Sequence, residues 1–290
     1  MERGAFRKIE MVVNTAAGGV RETAPAEAQA ILDELGLTAH MSTPAPGDLV
    51  RCLKDAVAAR PDLLIVLAGD GTARTAVELC GRTGPLVAPL AGGTMNMLPH
   101  AIYGARPWQA AMVHALTSGV ERPLDGGEVD GHNFLVAAIL GAPALWAPAR
   151  EAARKGDPRL AVRRARVAFN RAFKGRLRYI VEAGPREKAE ALVFMCPLIS
   201  RGLRDDDQAL EVAALDPSGA GEAFRLGFHA VLGDWRKDPA VEVASCKLAR
   251  VWAATGIPAL LDGEPVRLKS LAEVRFTPGV GRVLMAREDD

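Results

Sequence analysis

Three glycine-rich segments, at 14–19 (NTAAGG), 68–72 (AGDGT) and 91–96 (AGGTMN), each follow an apolar run and precede a helical one. Glycine lets a backbone approach an anion closely, and the unpaired amides at a helix start attract it. Threonine adds a hydroxyl donor, and Asp70 can orient a ribose or a magnesium-bound phosphate. Any one such loop is by default an ordinary tight turn; three of them converging point to a phosphate-bearing ligand. Two further segments carry carboxylates, 261–265 (LDGEP) and 204–210 (RDDDQAL). By default an Asp-Gly pair is a hairpin turn, as expected for 125–126 and 130–131, and an acidic run is a solvated loop.

Other chemistries lack their residues. There is no G-x-x-x-x-G-K-[ST] segment, and Gly69-x-Gly71 leads to Arg74 where a dinucleotide fingerprint needs a third small residue. The cysteines, at 52, 80, 196 and 246, are far apart and read as buried thiols in a reducing compartment. The five histidines are equally scattered, which argues against a His-built metal site. The opening MERGAFRKIEMVVN has too short an apolar run for a secretory core or a spanning helix, so a cytoplasmic address is expected.

The elements that position these residues follow from periodicity. An apolar strand at 9–14 is followed by a helix opened by Pro25 and closed by Gly36, then a short strand at 37–42 and a helix from 47 or 48 to 60. Residues 62–68 (DLLIVLA) read as a central parallel strand. A helix at 73–82, a strand at 85–90, and helices near 95–104 and 107–118 complete a β-α alternation that predicts an open parallel sheet. Ligands sit beyond the carboxyl ends of such strands, where all three glycine-rich segments fall. From about 120 the texture changes to short strands at 132–140, 176–183, 190–196, 210–215, 240–246, 249–254 and 272–277, with helical character only at 143–175 and 222–235. A chain of 290 residues is thus expected to hold an α/β domain over 1–122, with 279–290 a candidate to complete it, and a β-rich domain over 123–278, with a cleft between them.

Net charge is only +1, yet 150–178 holds eleven Arg or Lys against Glu151 and Asp157, a local net of +9. One basic segment in a near-neutral chain suggests a local anionic partner, with no nucleic acid expected. Within it Val162, Ala165, Phe169, Ala172, Phe173 and Leu177 recur at helical spacing, which suits either a helix packed on the core or an interfacial one meeting anionic lipid.

AGDGT at 68–72 resembles the G-G-D-G-T loop shared by diacylglycerol kinases, sphingosine kinases, NAD kinases and, more distantly, phosphofructokinases. AGGTMNMLPH at 91–100 resembles the G-T-x-N-x-x-x-R segment of bacterial lipid kinases, NTAAGG their N-P-x-x-G-x opening, and LDGEP their late D-G-E-P motif. Order and spacing agree along nearly the whole chain. Ala68, Thr15, Met97 and His100 depart from the pattern.

The resemblance implies an NAD kinase-like, Rossmann-like parallel sheet joined to an antiparallel β-sandwich, and an ATP- and Mg2+-dependent kinase acting on a lipid hydroxyl at a membrane surface. It implies ATP contacts from Asn14, Thr43, Gly69, Asp70, Gly71, Thr72 and Thr94, with Asn96 in the same loop as Thr94. Asp262, with Glu264 beside it, would be the carboxylate that takes the hydroxyl proton; Glu264 could instead hold magnesium or share the proton work, and the sequence does not rank the two firmly. A structural magnesium would take the Asp207 carboxylate and the carbonyls of Arg204 and Ala209. An NAD kinase shares the loop and two-domain plan but would need a second N-E motif. A catalytically silent lipid- or nucleotide-binding module is the third reading, and a peripheral position on the membrane goes with the first.

Overall fold

The alternation in the first 118 residues folds as a parallel sheet in the computed structural model, which describes residues 6–141, 144, 176–200, 202–203, 207–216 and 241–285. The expected helical spans 143–175 and 222–235 and most of the basic segment lie outside these residues. The chain divides into two units, one holding the residues up to Asp125 and those from Pro278, the other Gly126–Thr277.

In the first unit, β1 (Ile9–Val13), α1 (Ala24–Glu34), β2 (Ala39–Ser42), α2 (Leu49–Ala58), β3 (Leu63–Ala68), α3 (Asp70–Cys80) and β4 (Leu86–Ala91) alternate, followed by α4 (Met97–Tyr103) and α5 (Trp108–Ser118). The strands lie in the order β2-β1-β3-β4, all parallel. β1 and β3 are buried at every position, as a strand covered on both faces must be. Pro25 stands in the first turn of α1, and Gly36 follows that helix at φ +67°, where only glycine is unstrained. One expectation shifts: α3 begins at Asp70 rather than near 73, so Asp70, Gly71 and Thr72 form a helix's first turn and not a free loop.

In the second unit two antiparallel sheets face each other. One contains β8 (Leu177–Val181), β9 (Glu187–Ala189), β13 (Leu248–Trp252) and the first part of β16 (Leu271–Met285). The other runs β12-β11-β10-β7-β14-β15, from β12 (Val241–Cys246), β11 (Leu210–Leu215), β10 (Ala191–Met195) and β7 (Ala137–Gly141) to β14 (Pro258–Leu261) and β15 (Glu264–Arg267). Phe134, Phe194, Val212 and Leu261 pack with Tyr179 and Val251 in a shared core. Each fully buried side chain of this size contributes about 2–3 kcal/mol. Leu177 falls both at the end of the helical stripe and in the strand expected at 176–183; it begins β8 and belongs to this core.

Turn-forming residues hid one strand and the continuation of another. β5 (Val120–Val129) contains Pro123 and the Asp125-Gly126 pair expected to be a hairpin turn. Asp125 is held in extended chain because its carboxylate accepts the Gly279 amide at 2.6 Å. The 130–131 turn is as expected, joining β5 to β6 (His132–Phe134) with Val129 opposite His132. β16 continues through Pro278 and Gly279, and its last part joins the first unit's sheet with Val283 beside Val87, parallel to β4.

Cys80, Cys196 and Cys246 are buried and Cys52 half-buried, all as free thiols; burial pushes those of Cys80 and Cys246 up to about 12. No helix among the described residues is long and apolar enough to cross a membrane.

Candidate functional site

Parallel strands place their carboxyl ends on one edge of the sheet. Thr43 follows β2, Asn14 follows β1, Gly69 follows β3 and Gly92 follows β4, so the expected nucleotide residues share that edge. The three glycine-rich segments are in contact. Gly19 donates its amide to the Gly92 carbonyl at 3.0 Å, and Gly92 donates to the Ala68 carbonyl at 2.9 Å. A Cβ on Gly93 would stand 2.7 Å from the Gly69 Cα, and one on Gly19 would stand 2.9 Å from the Gly93 oxygen. Real Cβ atoms do not approach backbone this closely, so glycine at these positions is what lets the loops close on one another.

Each loop is also tied down by a side chain. Asn14 Oδ1 accepts the Ala16 amide at 3.1 Å, bending the chain after β1. Asn96, left-handed at φ 51°, accepts the Gly93 amide at 2.7 Å and donates to the Gly93 carbonyl at 3.0 Å. Its amide thus closes its own loop. Asp70 is buried, and its Oδ1 accepts the Leu98 amide at 3.1 Å, holding the start of α4 to the start of α3. One Asp70 oxygen thus braces the fold, beside the ligand role expected of this residue.

What remains is a cradle. The first turn of α3, Asp70 to Thr72, brings the positive end of the helix dipole to this edge. Thr94 is exposed on the adjoining loop. Thr43, also exposed, lines a cavity of about 480 Å³ with Ser42, Asp48 and Arg51. A helix start, exposed hydroxyls and close-packed glycines fit a polyphosphate.

In the second unit the LDGEP segment is the turn joining β14 to β15. Leu261 pairs with Glu264 around Asp262 at φ 49° and Gly263 at φ 84°, the geometry that a two-residue hairpin demands. The Asp262 side chain turns inward, and the residue is only 2 % exposed. Its Oδ2 accepts the Leu135 amide at 2.8 Å, while its Oδ1 accepts those of Val136 and Ala137 at 2.9 and 3.0 Å. An ionised carboxylate has about four lone-pair directions, so three amides nearly fill it. Glu264, two residues on, is exposed.

Of the expected metal ligands, Asp207 is exposed and its carbonyl accepts the Ala209 amide at 2.9 Å in a tight turn, while Arg204 lies outside the described residues. No group of three or more His, Cys, Asp or Glu able to hold a metal is present among the described residues. One acid beside this turn escaped notice in the sequence. Glu211, 1 % exposed on β11, accepts the Ser200 hydroxyl and, at 3.3 Å, the Gly202 amide, so it organises the chain entering the acidic run. The signal was present as a carboxylate interrupting the apolar run of 210–215.

Comparison with known proteins bears on the family and the fold. Residues 8–129 match the family model of the diacylglycerol kinase catalytic domain. A solved diacylglycerol kinase from Bacillus anthracis str. Sterne superposes with a TM-score of 0.69 at 15 % identity, covering 97 % of each chain. A candidate diacylglycerol kinase of the same strain gives 0.73 at 18 % identity, covering 97 % of this chain and 95 % of that one. Yeast NADH kinase complexed with NADH gives 0.52 at 12 % identity, covering 97 % and 84 %. The resemblance read from the motifs is borne out: the match to the diacylglycerol kinase catalytic-domain model spans 8–129, and the fold is similar to that of bacterial diacylglycerol kinases, with NAD kinase-like neighbours.

Proposed function

We propose that this chain is an ATP-dependent kinase of a lipid hydroxyl. The observation that carries the reading is the contact of the three glycine-rich segments at one edge of the parallel sheet, within the part that matches a kinase catalytic domain. ATP supplies the phosphoryl group. The first turn of α3, the loop after Asn14, Thr94 and, from the neighbouring strand, Thr43 would hold it, with Mg2+ balancing its charge. Asp207 and Ala209, with Arg204, are the proposed seat of a second, structural Mg2+. Transfer to a hydroxyl needs a group to receive the proton. We assign that role to Glu264, which is exposed, and give Asp262 the task of anchoring the turn that presents it. The acceptor is a lipid such as diacylglycerol or a sphingoid base, met by a cytoplasmic protein at the membrane surface.

The test is turnover of radiolabelled ATP with a dispersed polar-lipid extract, run in parallel with NAD. A labelled lipid is the expected product. Labelled NADP would transfer the assignment to NAD kinase, and no transfer with intact ATP binding would leave a silent binding module.

The cradle itself gives a second expected result. Gly93→Ala sets a Cβ 2.7 Å from the Gly69 backbone, so the two loops must part. A misplacement of about 1 Å costs on the order of 10²-fold where ligand geometry matters. ATP affinity measured by calorimetry should drop by about tenfold or more. Gly47→Ala, with nothing within 4 Å of the added carbon, should leave it unchanged.

A further inference from the structure

One face of the second unit has no role in the chemistry above. On the sheet β16-β13-β8-β9 the inward residues Ala272, Val274, Ala249, Val251, Leu177 and Tyr179 are core. The outward ones alternate with them. A first row across the sheet reads Lys188, Arg178, Trp252, Leu271, each directly opposite the next. A second reads Ile180, Arg250, Glu273, and a third Leu248, Arg275. Arg186, in the turn between β8 and β9, lies over the Trp252 ring at 5.3 Å from its centroid.

This face combines cations with apolar side chains in water. Arg178, Arg186 and Lys188 are exposed, and Leu271 is 51 % exposed. Among the described residues of these rows Glu273 is the only acid, and it is engaged by both Arg250 (3.0 Å) and Arg275. At the rim Glu182 is turned to the amides of Lys247 and Leu248. Arg178 and Lys188 stand directly across from each other. Like charges in that position destabilise a sheet, and an anionic surface laid over them would relieve the repulsion. Four strands about 5 Å apart spread these side chains over a face wider than one extended peptide would cover. Nucleic acid would bring phosphates too, but its bases need open aromatic faces. Trp252 is the aromatic residue of these rows, and a guanidinium already covers it, while Ile180, Leu248 and Leu271 offer aliphatic surface.

We propose that the outer face of the β16-β13-β8-β9 sheet docks this protein on an anionic lipid bilayer, with Arg178, Arg186 and Lys188 at the headgroups and Trp252 and Leu271 entering the interface. The choice of lipid over nucleic acid rests on the lipid-kinase reading, which this face deepens by naming the surface at which substrate is met. It differs from the basic helix expected from 150–178, since Arg178 acts here from a strand and Arg176 is paired with Asp216.

The experiment is co-sedimentation with phosphatidylcholine vesicles, with and without phosphatidylglycerol, in the absence of ATP. Wild-type protein should partition onto the phosphatidylglycerol vesicles and be released by salt. Each basic residue near a charged surface is worth about fivefold in partition. The triple variant Arg178→Gln, Arg186→Gln, Lys188→Gln should lose on the order of a hundredfold, with melting not lowered and turnover of a short-chain, monomerically dispersed lipid unchanged. A triple variant that binds like wild type overturns the proposal. So does loss of binding caused only by Arg163→Gln, Arg166→Gln, Arg171→Gln in the basic segment, and so does binding to single-stranded RNA with none to vesicles. Vesicle binding without kinase activity would refute the kinase reading alone, and kinase activity on the short-chain lipid without vesicle binding would refute the docking face alone.

Discussion

Glu264→Gln is expected to lower phosphoryl transfer to lipid by about 10²–10⁴-fold, the usual worth of a general base. The side chain is exposed, so an isosteric change there should move stability by no more than about 0.5 kcal/mol. ATP affinity should be unchanged, because the glycine-rich cradle is built from other residues. The signature is therefore a fall in kcat with neither the melting temperature nor nucleotide binding altered. Single-turnover kinetics with ATP and a dispersed lipid would read it directly. Activity within tenfold of wild type would remove Glu264 as the proton acceptor.

Asp262→Ala should give the opposite pattern, a loss of stability ahead of any loss of chemistry. Its carboxylate satisfies three consecutive buried amides of 135–137, and its own amide donates to the Ala137 carbonyl at 2.9 Å. Each buried donor left unpaired costs about 1–3 kcal/mol. A total on the order of 4 kcal/mol is then expected, a large share of the roughly 5–15 kcal/mol that holds a typical domain. Thermal unfolding should move down by on the order of 10 °C for a chain of this size. Asp262→Asn is informative beside it. One amide oxygen can still serve Val136 and Ala137, but its NH2 would face the Leu135 donor, so an intermediate loss is expected. A melting curve for Asp262→Ala that overlays wild type would show that those amides have other partners and would return Asp262 to candidacy as the base.

The two carboxylates of LDGEP show where local reading stops. Motif resemblance brought both forward, and the bland alternative for Asp-Gly, a hairpin turn, is what 262–263 adopts. Motif and turn coincide because the turn aims one acid inward and leaves the other outside. Nothing near 262 in the chain announces that its partners are more than a hundred residues away, at 135–137. The acid inside the apolar run of β11 was similarly visible as a residue and invisible as a contact until Ser200 and Gly202 were placed beside it.

Strand interruptions misled in the same way. Residues 120–129 carry Pro123, Asp125, Gly126 and Gly127, all turn formers by local preference, yet they run extended. Asp125 is occupied by the Gly279 amide and Gly127 leaves room for the Phe134 ring, two causes that act across the fold. β16 passes through Pro278 and Gly279 for the same kind of reason, since its last part is held beside β4.

By itself, then, the sequence determined the alternation of β1 to β4 with their helices, the shared edge at which the glycine-rich segments fall, the β-rich character of the second half and the kinase-type motifs. These rest on periodicity, on the φ preferences of glycine and proline, and on residue order, all of which are local. Only the tertiary structure decided that Gly19, Gly69 and Gly93 touch, that Asp70 braces α4, that Asp262 is a buried anchor while Glu264 faces solvent, and that cations and aliphatic side chains share the outer face of the β16-β13-β8-β9 sheet. Hydrogen-bond partners and strand neighbours are set by which distant segments can pack without voids or unpaired amides, and that condition is satisfied by the whole chain at once.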